Sequence, residues 1–174
     1  RGMIGHMMVP AIMMALADVL PERAIAEGSS NSSITVTGEH LGRPYAAVNF
    51  MNAGQGATRY RNGYTMLSFP SNLSNTPIEV FEQMAPLRVI ERSIRRGSGG
   101  AGKHRGGDGL NFEVEVTANT PMMASMIMTR FRTAPQGIFG GTPGKVGALL
   151  LNGKPINPAD HWVLNKGDRV VMQT

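Results

Sequence analysis

The fold is decided by one glycine-rich stretch, Arg92-Ser-Ile-Arg-Arg-Gly-Ser-Gly-Gly-Ala-Gly-Lys-His-Arg-Gly-Gly-Asp-Gly109. Seven of the thirteen residues from Gly97 to Gly109 are glycine. Glycine is kept at such density where the backbone turns sharply or approaches another group closely. Residues 87–94 before the stretch are predicted to form a strand. Residues 110–117 after it alternate between apolar and polar side chains, which indicates a half-buried antiparallel strand. We therefore predict that the stretch is a connection between two strands.

Two nucleotide-binding patterns also fit this stretch. Residues 97–103 match the phosphate-loop pattern G-x-x-x-x-G-K, and residues 97–102 match the dinucleotide pattern G-x-G-x-x-G. Both patterns require a helix whose first turn presents N–H groups to phosphate. Here His104 replaces the Ser or Thr that follows the lysine, and Gly106 and Gly107 come directly after. Each glycine inside a helix costs about 1 kcal/mol, so we favour the strand connection over a nucleotide cradle.

Length and composition limit the class of protein. A chain of 174 residues is long enough for one domain with a core, and because it starts at Arg1 we expect a piece of a longer or processed polypeptide. The absence of cysteine excludes disulfides and thiol catalysis and agrees with a reducing compartment, so we expect a cytoplasmic protein.

The charge raises the question of a polyanionic partner. The net charge is +5 and the pI is about 10.1, which suggests a polyanion such as nucleic acid. The basic residues between Arg88 and Arg105 lack the interleaved aromatic residues of a single-strand binder and the helical frame of a groove reader. We interpret them as a solvated face or an interface to an acidic partner subunit, and we expect no nucleic acid.

The N-terminal residues 3–20 are almost continuously apolar, but His6, Pro10 and Asp18 interrupt them. A membrane span needs about 20 clean apolar residues, so we expect no membrane span. We predict instead a helix that begins at Pro10 and is ended by Pro21. Its apolar face would consist of Val9, Ile12, Met13, Leu16, Val19 and Leu20.

Residues 34–37 and 45–51 predict paired strands across a turn at 42–44, and a second glycine-bearing loop follows at 53–63. Arg59 and Arg61 stand two residues apart in that loop, so in an extended segment both side chains would point the same way. Such a pair could hold a carboxylate or carbonyl oxygen, and it could equally be a salt-bridged interface loop.

The rest of the chain predicts one short helix and further strands. A breaker-rich connector at 70–77 is a possible domain sub-boundary, and Thr76 is the predicted N-cap of a helix that ends near Ala85. Strands are predicted at 122–131, 146–151 and 169–172, with a loop at 140–144 and an Asn152-Gly153 hairpin turn. A helix is the alternative for the methionine-rich residues 122–131. The predicted fold class is a β-dominated α+β fold with mixed or antiparallel sheets and two short helices, part of a larger subunit.

No complete catalytic constellation is visible in the sequence. The four histidines lie far apart and form no metal-ligand pair, and we interpret Asp160-His161 as a turn feature. A G-x-S-x-G nucleophile motif is absent. We therefore assign no catalytic residue and no metal ligand.

The order of several short motifs resembles the hydantoinase B family. The central segment 99–109 is preceded by Thr76-Pro-Ile-Glu-Val-Phe-Glu82 and Ala85-Pro-Leu87. Gly5-His-Met7, residues 15–21, Arg43-Pro44 and Gly56-Ala-Thr-Arg59 follow the family's order over essentially the whole chain. The family comprises B subunits of N-methylhydantoinases, the matching half of 5-oxoprolinase, and subunits of acetone and acetophenone carboxylases.

The resemblance implies a C-terminal segment of the B subunit of an ATP-dependent cyclic-amide hydrolase. A long N-terminal part and a final glycine-rich tail would lie outside the chain, and the segment alone is expected to be inactive. The expected partners are that N-terminal remainder and an A subunit that binds ATP and Mg²⁺, within a hetero-oligomer. A divalent metal would belong to the N-terminal part. The runner-up is a ketone carboxylase subunit, and a non-enzymatic basic interaction module is the third hypothesis.

The candidate substrate-channel residues come from the two glycine-bearing loops. In these loops arginine would polarise a substrate oxygen, and backbone N–H groups would stabilise developing negative charge. The candidates are Arg59, Arg61, Gly99, Gly100, Gly102, Lys103, His104 and Arg105.

Overall fold

The computed structural model describes residues 2–29 and 32–174, and within them it contains two helices and nine strands. These elements are α1 (Gly2–Ala15), β1 (Ser32–His40), β2 (Arg43–Met51), α2 (Ile78–Met84), β3 (Leu87–Arg95), β4 (Gly109–Val116), β5 (Met122–Ile127), β6 (Ala148–Leu151), β7 (Lys154–Pro155), β8 (His161–Leu164) and β9 (Arg169–Gln173).

The glycine-rich stretch connects two strands, as predicted. β3 and β4 pair antiparallel from Leu87↔Val116 to Arg95↔Gly109, and residues 96–108 form the connection between them. The alternation predicted for β4 is also confirmed, because its apolar residues are at most 1% exposed while the polar residues between them are half-buried. Polar alternation of this kind is typical of a strand with one face on the core.

The strands form two antiparallel sheets, with the orders β2-β1-β5-β8 and β3-β4-β9-β6-β7. Every strand pair in the two sheets is antiparallel, so of the two predicted alternatives, mixed or antiparallel, the second is correct. The predicted β-dominated α+β class with two helices is confirmed.

One apolar core joins the two sheets and α2. Ile34 and Met126 enter it from the first sheet, Phe112 and Val170 from the second, and Phe81 from α2. The rings of Phe81 and Phe112 pack 6.3 Å apart between centroids at a tilt of 55°. A core shared in this way fixes the sheets to each other and therefore fixes the loops that leave their ends.

The N-terminal helix differs from its prediction. α1 begins at Gly2 and ends at Ala15, with Pro10 inside it, although a helix from Pro10 to Pro21 was predicted. The predicted apolar face is not buried by the described residues, since Ile12 is 50% exposed and Val19 is 75% exposed. The residues that this segment does bury are Pro10 and the small Ala17. Periodicity identified an apolar face, but it does not determine what covers that face.

None of the helices within residues 2–29 and 32–174 has the length and apolar character needed to cross a bilayer.

Two local predictions also need correction. The N-cap of α2 is Pro77 and not the predicted Thr76, and no side chain caps the helix. The carbonyl of Thr76 accepts a hydrogen bond from Nη1 of Arg92 at 2.8 Å. β8 was missed, because its four residues are too few for a periodic signal. It pairs with β5 from Met122↔Leu164 to Ser125↔His161, so His161 opens a strand.

Turn chemistry predicts one of the two tight hairpin turns and misplaces the other. The β1–β2 turn is Leu41-Gly42, with positive φ at both residues, so Arg43 and Pro44 already belong to β2 and the predicted turn was placed too late. The predicted Asn152-Gly153 turn joins β6 to β7 with φ of 51° and 77°. Positive φ at both positions is the requirement of a type I′ turn, which Asn-Gly meets. The sub-boundary near 70–77 stays a prediction.

Candidate functional site

Asp108 anchors the glycine-rich connection. Its Oδ1 accepts hydrogen bonds from the backbone N–H groups of Ser98 at 3.0 Å and Gly99 at 3.1 Å, and from Nη2 of Arg105 at 2.5 Å. Burial acts to raise the pKa of this carboxyl, but Arg105 and the two N–H groups outweigh it and hold the pKa below its ordinary value. The Asp108 carboxylate is therefore ionised, and its hydrogen bonds hold the end of the connection against the beginning of the connection at Ser98 and Gly99.

The loop at 53–63 is bonded to this connection through the backbone. Gly107 N–H donates to the carbonyl of Gln55 at 2.8 Å, and Gly63 N–H donates to the carbonyl of Arg105 at 2.9 Å. A Cβ added at Gly107 would lie 1.9 Å from the carbonyl oxygen of Tyr64. The two glycine-bearing loops, which the sequence separates by more than thirty residues, are thus in direct backbone contact.

A third loop, residues 134–145, closes the other side of the connection. Thr142 N–H donates to the carbonyl of Ala101 at 2.8 Å, and Lys145 N–H donates to the carbonyl of Ser98 at 2.9 Å. A Cβ at Gly100 would lie 2.1 Å from the Thr142 carbonyl oxygen. The predicted loop at 140–144 is therefore a wall of the same site.

Residues 26–29, which precede β1, complete the site. Ala26 N–H donates to the carbonyl of Ala57 at 2.8 Å, and Ser29 N–H donates to the carbonyl of Gly54 at 3.1 Å. The Glu27 carboxylate pairs with Arg130 through Oε1 and accepts the N–H of Gln136 through Oε2 at 2.9 Å. Glu27 thus ties this segment to the third loop.

The four segments enclose a cleft of about 460 Å³. Its walls are residues 26–29, 54–59, 98–104 and 135–142, with additional contributions that include Lys145 and Thr174. A concave site of several hundred Å³ with a few converging polar groups is the usual form of a small-molecule site. The walls are largely glycine, so backbone groups line much of the surface.

Six of the eight candidate residues line this cleft, and two do not. Arg59, Gly99, Gly100, Gly102, Lys103 and His104 are at its surface. Arg61 lies outside it, because its guanidinium packs 4.4 Å from the centre of the Tyr64 ring and donates to the Tyr64 hydroxyl. Arg105 is also outside the lining and is paired with Asp108.

The two loop arginines do not share a direction, which corrects the expectation for an extended segment. Residues 58–61 form a tight turn in which Oγ1 of Thr58 accepts the N–H groups of Tyr60 at 3.3 Å and Arg61 at 3.2 Å. Alternation of side chains holds in a strand and fails in such a turn. Thr58 was the available signal, since its hydroxyl favours local bonds of this kind.

The segment after Lys103 lacks the element that a nucleotide cradle requires. Residues 96–108, all of which the structure describes, contain no helix, and the next element is β4. Within the described residues there is also no group of three histidine or acidic side chains placed to hold a metal ion. The residues that line the cleft include three cations, several hydroxyls and many glycines.

Three site residues were not predicted. Asp108 organises the connection, Glu27 fixes the cleft edge, and Ser29 lines the cleft with a buried hydroxyl that has no hydrogen-bond partner among the described residues. The signal for Asp108 was a single acidic residue inside a glycine run, where a carboxylate can collect N–H groups. Glu27 and Ser29 lie in a polar loop whose sequence does not distinguish them.

Known proteins share both sequence and fold with the chain. It is 38% identical over 108 residues to the 5-oxoprolinase of Dictyostelium discoideum, covering 60% of this chain and 8% of that protein. It is 28% identical over 185 residues to the caprolactamase subunit beta of Pseudomonas jessenii, covering 92% of this chain and 30% of that protein. The chain thus spans less than a third of the length of either relative.

Two solved structures have a similar fold. The crystal structure of the ATP-dependent caprolactamase from Pseudomonas jessenii matches with a TM-score of 0.72 and 21% identity, over 91% of this chain and 30% of that chain. Nucleotide-free acetone carboxylase matches with a TM-score of 0.68 and 19% identity, over 90% and 26%. At sequence identities this low, the similarity to the two structures shows the fold alone.

The family profile described as Hydantoinase B/oxoprolinase matches residues 1–174, which confirms the resemblance seen in the ordered motifs. The chain belongs to the Hydantoinase B/oxoprolinase family.

Proposed function

We propose that the chain is part of the B subunit of an ATP-dependent cyclic-amide hydrolase, and that the cleft receives the cyclic amide. One observation carries the proposal: in a member of this family, four loops form a cleft of about 460 Å³ lined by Arg59, Lys103 and His104. The family relatives named 5-oxoprolinase and caprolactamase support a cyclic amide as the substrate class.

The cleft offers the groups that ring opening needs around the reacting carbonyl. Hydrolysis breaks the ring C–N bond and adds the oxygen of water to the carbonyl carbon, so negative charge develops on the carbonyl oxygen. Donors arranged around that oxygen lower the barrier, because they meet the charge without reorganising. Arg59 and Lys103 supply cationic donors, and the backbone N–H groups of residues 102–104 have no other hydrogen bond within the described residues.

ATP and Mg²⁺ are assigned to a partner A subunit. The caprolactamase and the acetone carboxylase whose folds are similar are both ATP-dependent enzymes. The described residues fit neither a phosphate loop with its helix nor a divalent metal site. A divalent metal is assigned to the N-terminal remainder of the same subunit, within a cytoplasmic hetero-oligomer. The segment alone is expected to be inactive.

The second candidate is a subunit of an ATP-dependent ketone carboxylase. The fold similarity to acetone carboxylase supports it, with a TM-score of 0.68. The same cationic cleft would then face a carbonyl and a carboxylate rather than an amide.

The experiment is co-purification followed by a substrate comparison. The complete open reading frame is expressed with a gene for an A-type subunit, and the complex is assayed with ATP and either 5-oxoproline, a hydantoin, or acetone with bicarbonate. We expect ring opening coupled to ATP hydrolysis, and none when the A subunit is omitted. Carboxylation of acetone without lactam or hydantoin opening would replace the first candidate by the second, and a stable complex that turns over none of these would overturn both.

A further inference from the structure

The outer face of the first sheet is apolar, and the described residues leave it uncovered. The inner residues of β1, β2, β5 and β8, among them Ile34 and Met126, belong to the shared core. The residues that alternate with them point away from the core in aligned rows. Met123 is 55% exposed and Val163 is 60% exposed. The three rows are Phe50–Ser33–Ile127, Val48–Thr35–Ser125–His161 and Ala46–Thr37–Met123–Val163.

The outer face of the second sheet is charged and hydrogen-bonded, which gives a comparison within the same molecule. Arg88, Glu115 and Arg169 lie side by side across β3, β4 and β9, and Glu115 pairs with both arginines at 2.9 Å. Asn111 accepts a hydrogen bond from Gln173 of the neighbouring strand at 3.2 Å. A polar outer face of this kind is typical of an antiparallel sheet that faces water.

The outer face of the first sheet lacks such charges. The structure describes every residue of its three rows, and none of them is aspartate, glutamate, lysine or arginine. His161 is the ionisable side chain in these rows, and the next row along the β1–β2 hairpin contains Glu39. Soluble monomers rarely expose a contiguous apolar patch, and such patches mark interfaces. This face is therefore built to be covered by other polypeptide.

The size of the relatives indicates which polypeptide covers the face. The match to the caprolactamase subunit beta includes 92% of this chain but 30% of that subunit, and the match to the solved caprolactamase includes 91% of this chain and 30% of that chain. Most of a subunit of that kind thus lies outside the matched segment, in the same polypeptide. A neighbour in the same polypeptide is permanent, and permanent interfaces are the more hydrophobic ones, with few charged residues at their core.

We infer that the remainder of the same subunit packs on the outer face of the first sheet through an uncharged, apolar surface of its own. The inference rests on the proposed function in one respect, namely that the chain is part of a longer B subunit. Phe50 and Ile127 contact the remainder at one end of the face, and Met123 and Val163 contact it at the other. None of these four residues lines the cleft, so the interface is separate from the proposed substrate site.

The test measures thiol accessibility in the B subunit made from the complete open reading frame. Met123→Cys and Val163→Cys place thiols on the outer face of the first sheet. Glu91→Cys is the matched control, because Glu91 is exposed and lies opposite Glu113 on the outer face of the second sheet. Maleimide labelling is followed by mass spectrometry of the peptide that contains each introduced thiol. We expect M123C and V163C to be labelled at least about tenfold more slowly than E91C, since a covered thiol reacts only after local opening.

Dilution and the A subunit distinguish the possible occupants. Protection that persists on dilution of the B subunit alone supports the inference. Protection that is lost on dilution assigns the face to a second copy of the subunit, and protection that appears only after an A subunit is added assigns it to that partner. Either result overturns the inference.

The same variants separate this inference from the proposed function. Equal labelling of M123C, V163C and E91C, in a complex that still opens the lactam ring, overturns the inference and leaves the hydrolase proposal standing. Persistent protection in a complex without ring opening supports the interface and counts against the hydrolase. Thermal melts show whether each variant is folded, and Thr37→Cys, in the same row as Met123, replaces a variant that is not.

Discussion

Asp108 is the residue whose loss should disturb the glycine-rich connection most. All three hydrogen bonds of its carboxylate end on Oδ1, and one comes from a cation. Asp108→Ala leaves the Gly99 N–H without an acceptor, leaves the Ser98 N–H with only the Arg95 carbonyl at 3.2 Å and removes the partner of Arg105. We expect it to lower the free energy of unfolding by about 2–3 kcal/mol. Asp108→Asn keeps a neutral oxygen in place and should cost about 1 kcal/mol. Urea unfolding measures both, and equal losses in the two variants would contradict the role given to the charge.

The stability difference between wild type and Asp108→Asn should depend on pH, and the pKa of Asp108 fixes the sign of that dependence. The folded pKa of Asp108 lies below its ordinary value, which is about 3.9 in an unfolded chain. The stability that the charge contributes is therefore fully present above about pH 4 and is lost as the pH falls through the folded pKa. The stability difference between wild type and D108N should shrink in that acidic range. A difference that stays constant with pH would show that Asp108 is not the titrating group.

Gly107 is expected to tolerate no side chain, because it lies directly against another backbone segment. An added Cβ would meet the Tyr64 carbonyl oxygen at 1.9 Å, and the Gly107 N–H is held by the Gln55 carbonyl. Gly107→Ala should destabilise the fold by about 1–3 kcal/mol, the cost of overpacking. Gly5→Ala is the matched control, since it has open space inside α1 and should gain about 0.5–1 kcal/mol. Thermal melts compare them, and a neutral G107A would contradict this packing.

Arg59 and Arg61 provide a test of the cleft within one loop. Arg59 lines the cleft, whereas Arg61 packs on Tyr64. In the assembled complex, Arg59→Gln should lower kcat/KM about tenfold or more, while Arg61→Gln should stay within about twofold. Steady-state kinetics with the preferred substrate give the comparison. A larger loss in R61Q than in R59Q would place the substrate on the other side of the loop.

These residues also show how far sequence predicts a site. The glycine density and the lone arginines were visible, so six lining residues could be proposed from pattern alone. The roles of Arg61 and Arg105 could not, because they depend on Tyr64 and Asp108, and on a turn at Thr58 that cancels strand alternation. A sequence motif identifies the residues that can donate hydrogen bonds, whereas the fold determines which groups those residues contact.

At the scale of elements, strong periodicity predicted β4, and turn chemistry predicted the Asn152-Gly153 hairpin. α1 and β8 show the limits. An almost wholly apolar segment gives little contrast between faces, so the bounds of α1 and its burial were wrong. β8 is four residues long and forms by pairing with β5, which is a non-local interaction that local pattern does not report.

β4 is the element on which the shared core depends. Phe112 is 1% exposed and packs against Phe81 of α2. Phe112→Ala should lower the free energy of unfolding by about 3–5 kcal/mol, because it removes buried area and leaves a cavity. Glu113→Ala, the next residue on the opposite face, removes a 3.5 Å contact to the half-exposed Arg169 and should cost about 1 kcal/mol or less. Chemical denaturation measures the free energy of unfolding of both variants. Similar losses in the two would contradict the alternation of buried and exposed side chains along β4.

At the scale of the whole molecule, the sheets act as a frame that brings distant loops together. The cleft walls come from before β1, after β2, between β3 and β4, and between β5 and β6. The two sheets share one core, so the strand ends, and hence these loops, are fixed relative to each other. Precise placement of binding groups needs such rigid supports, and the glycines let the supported loops approach closely.

The contacts of the basic residues indicate whether the net charge of +5 favours a nucleic-acid partner. Of the basic cluster that could suggest nucleic acid, Arg88 pairs with Glu115, Arg105 with Asp108, Arg92 donates to the Thr76 carbonyl and Arg95 to the Val146 carbonyl. Affinity for DNA requires several cations free to displace phosphate counterions. Two of these four arginines are paired with carboxylates, and the other two keep their charge but already donate to backbone carbonyls. We therefore expect duplex DNA to bind no more tightly than about 10⁻⁴ M near physiological salt, the weak end of non-specific binding. Fluorescence anisotropy with a labelled duplex at low and high salt measures this. Micromolar binding with a steep salt dependence would instead identify the protein as a basic interaction module, and it would remove the reason for assigning the free cations to the cleft.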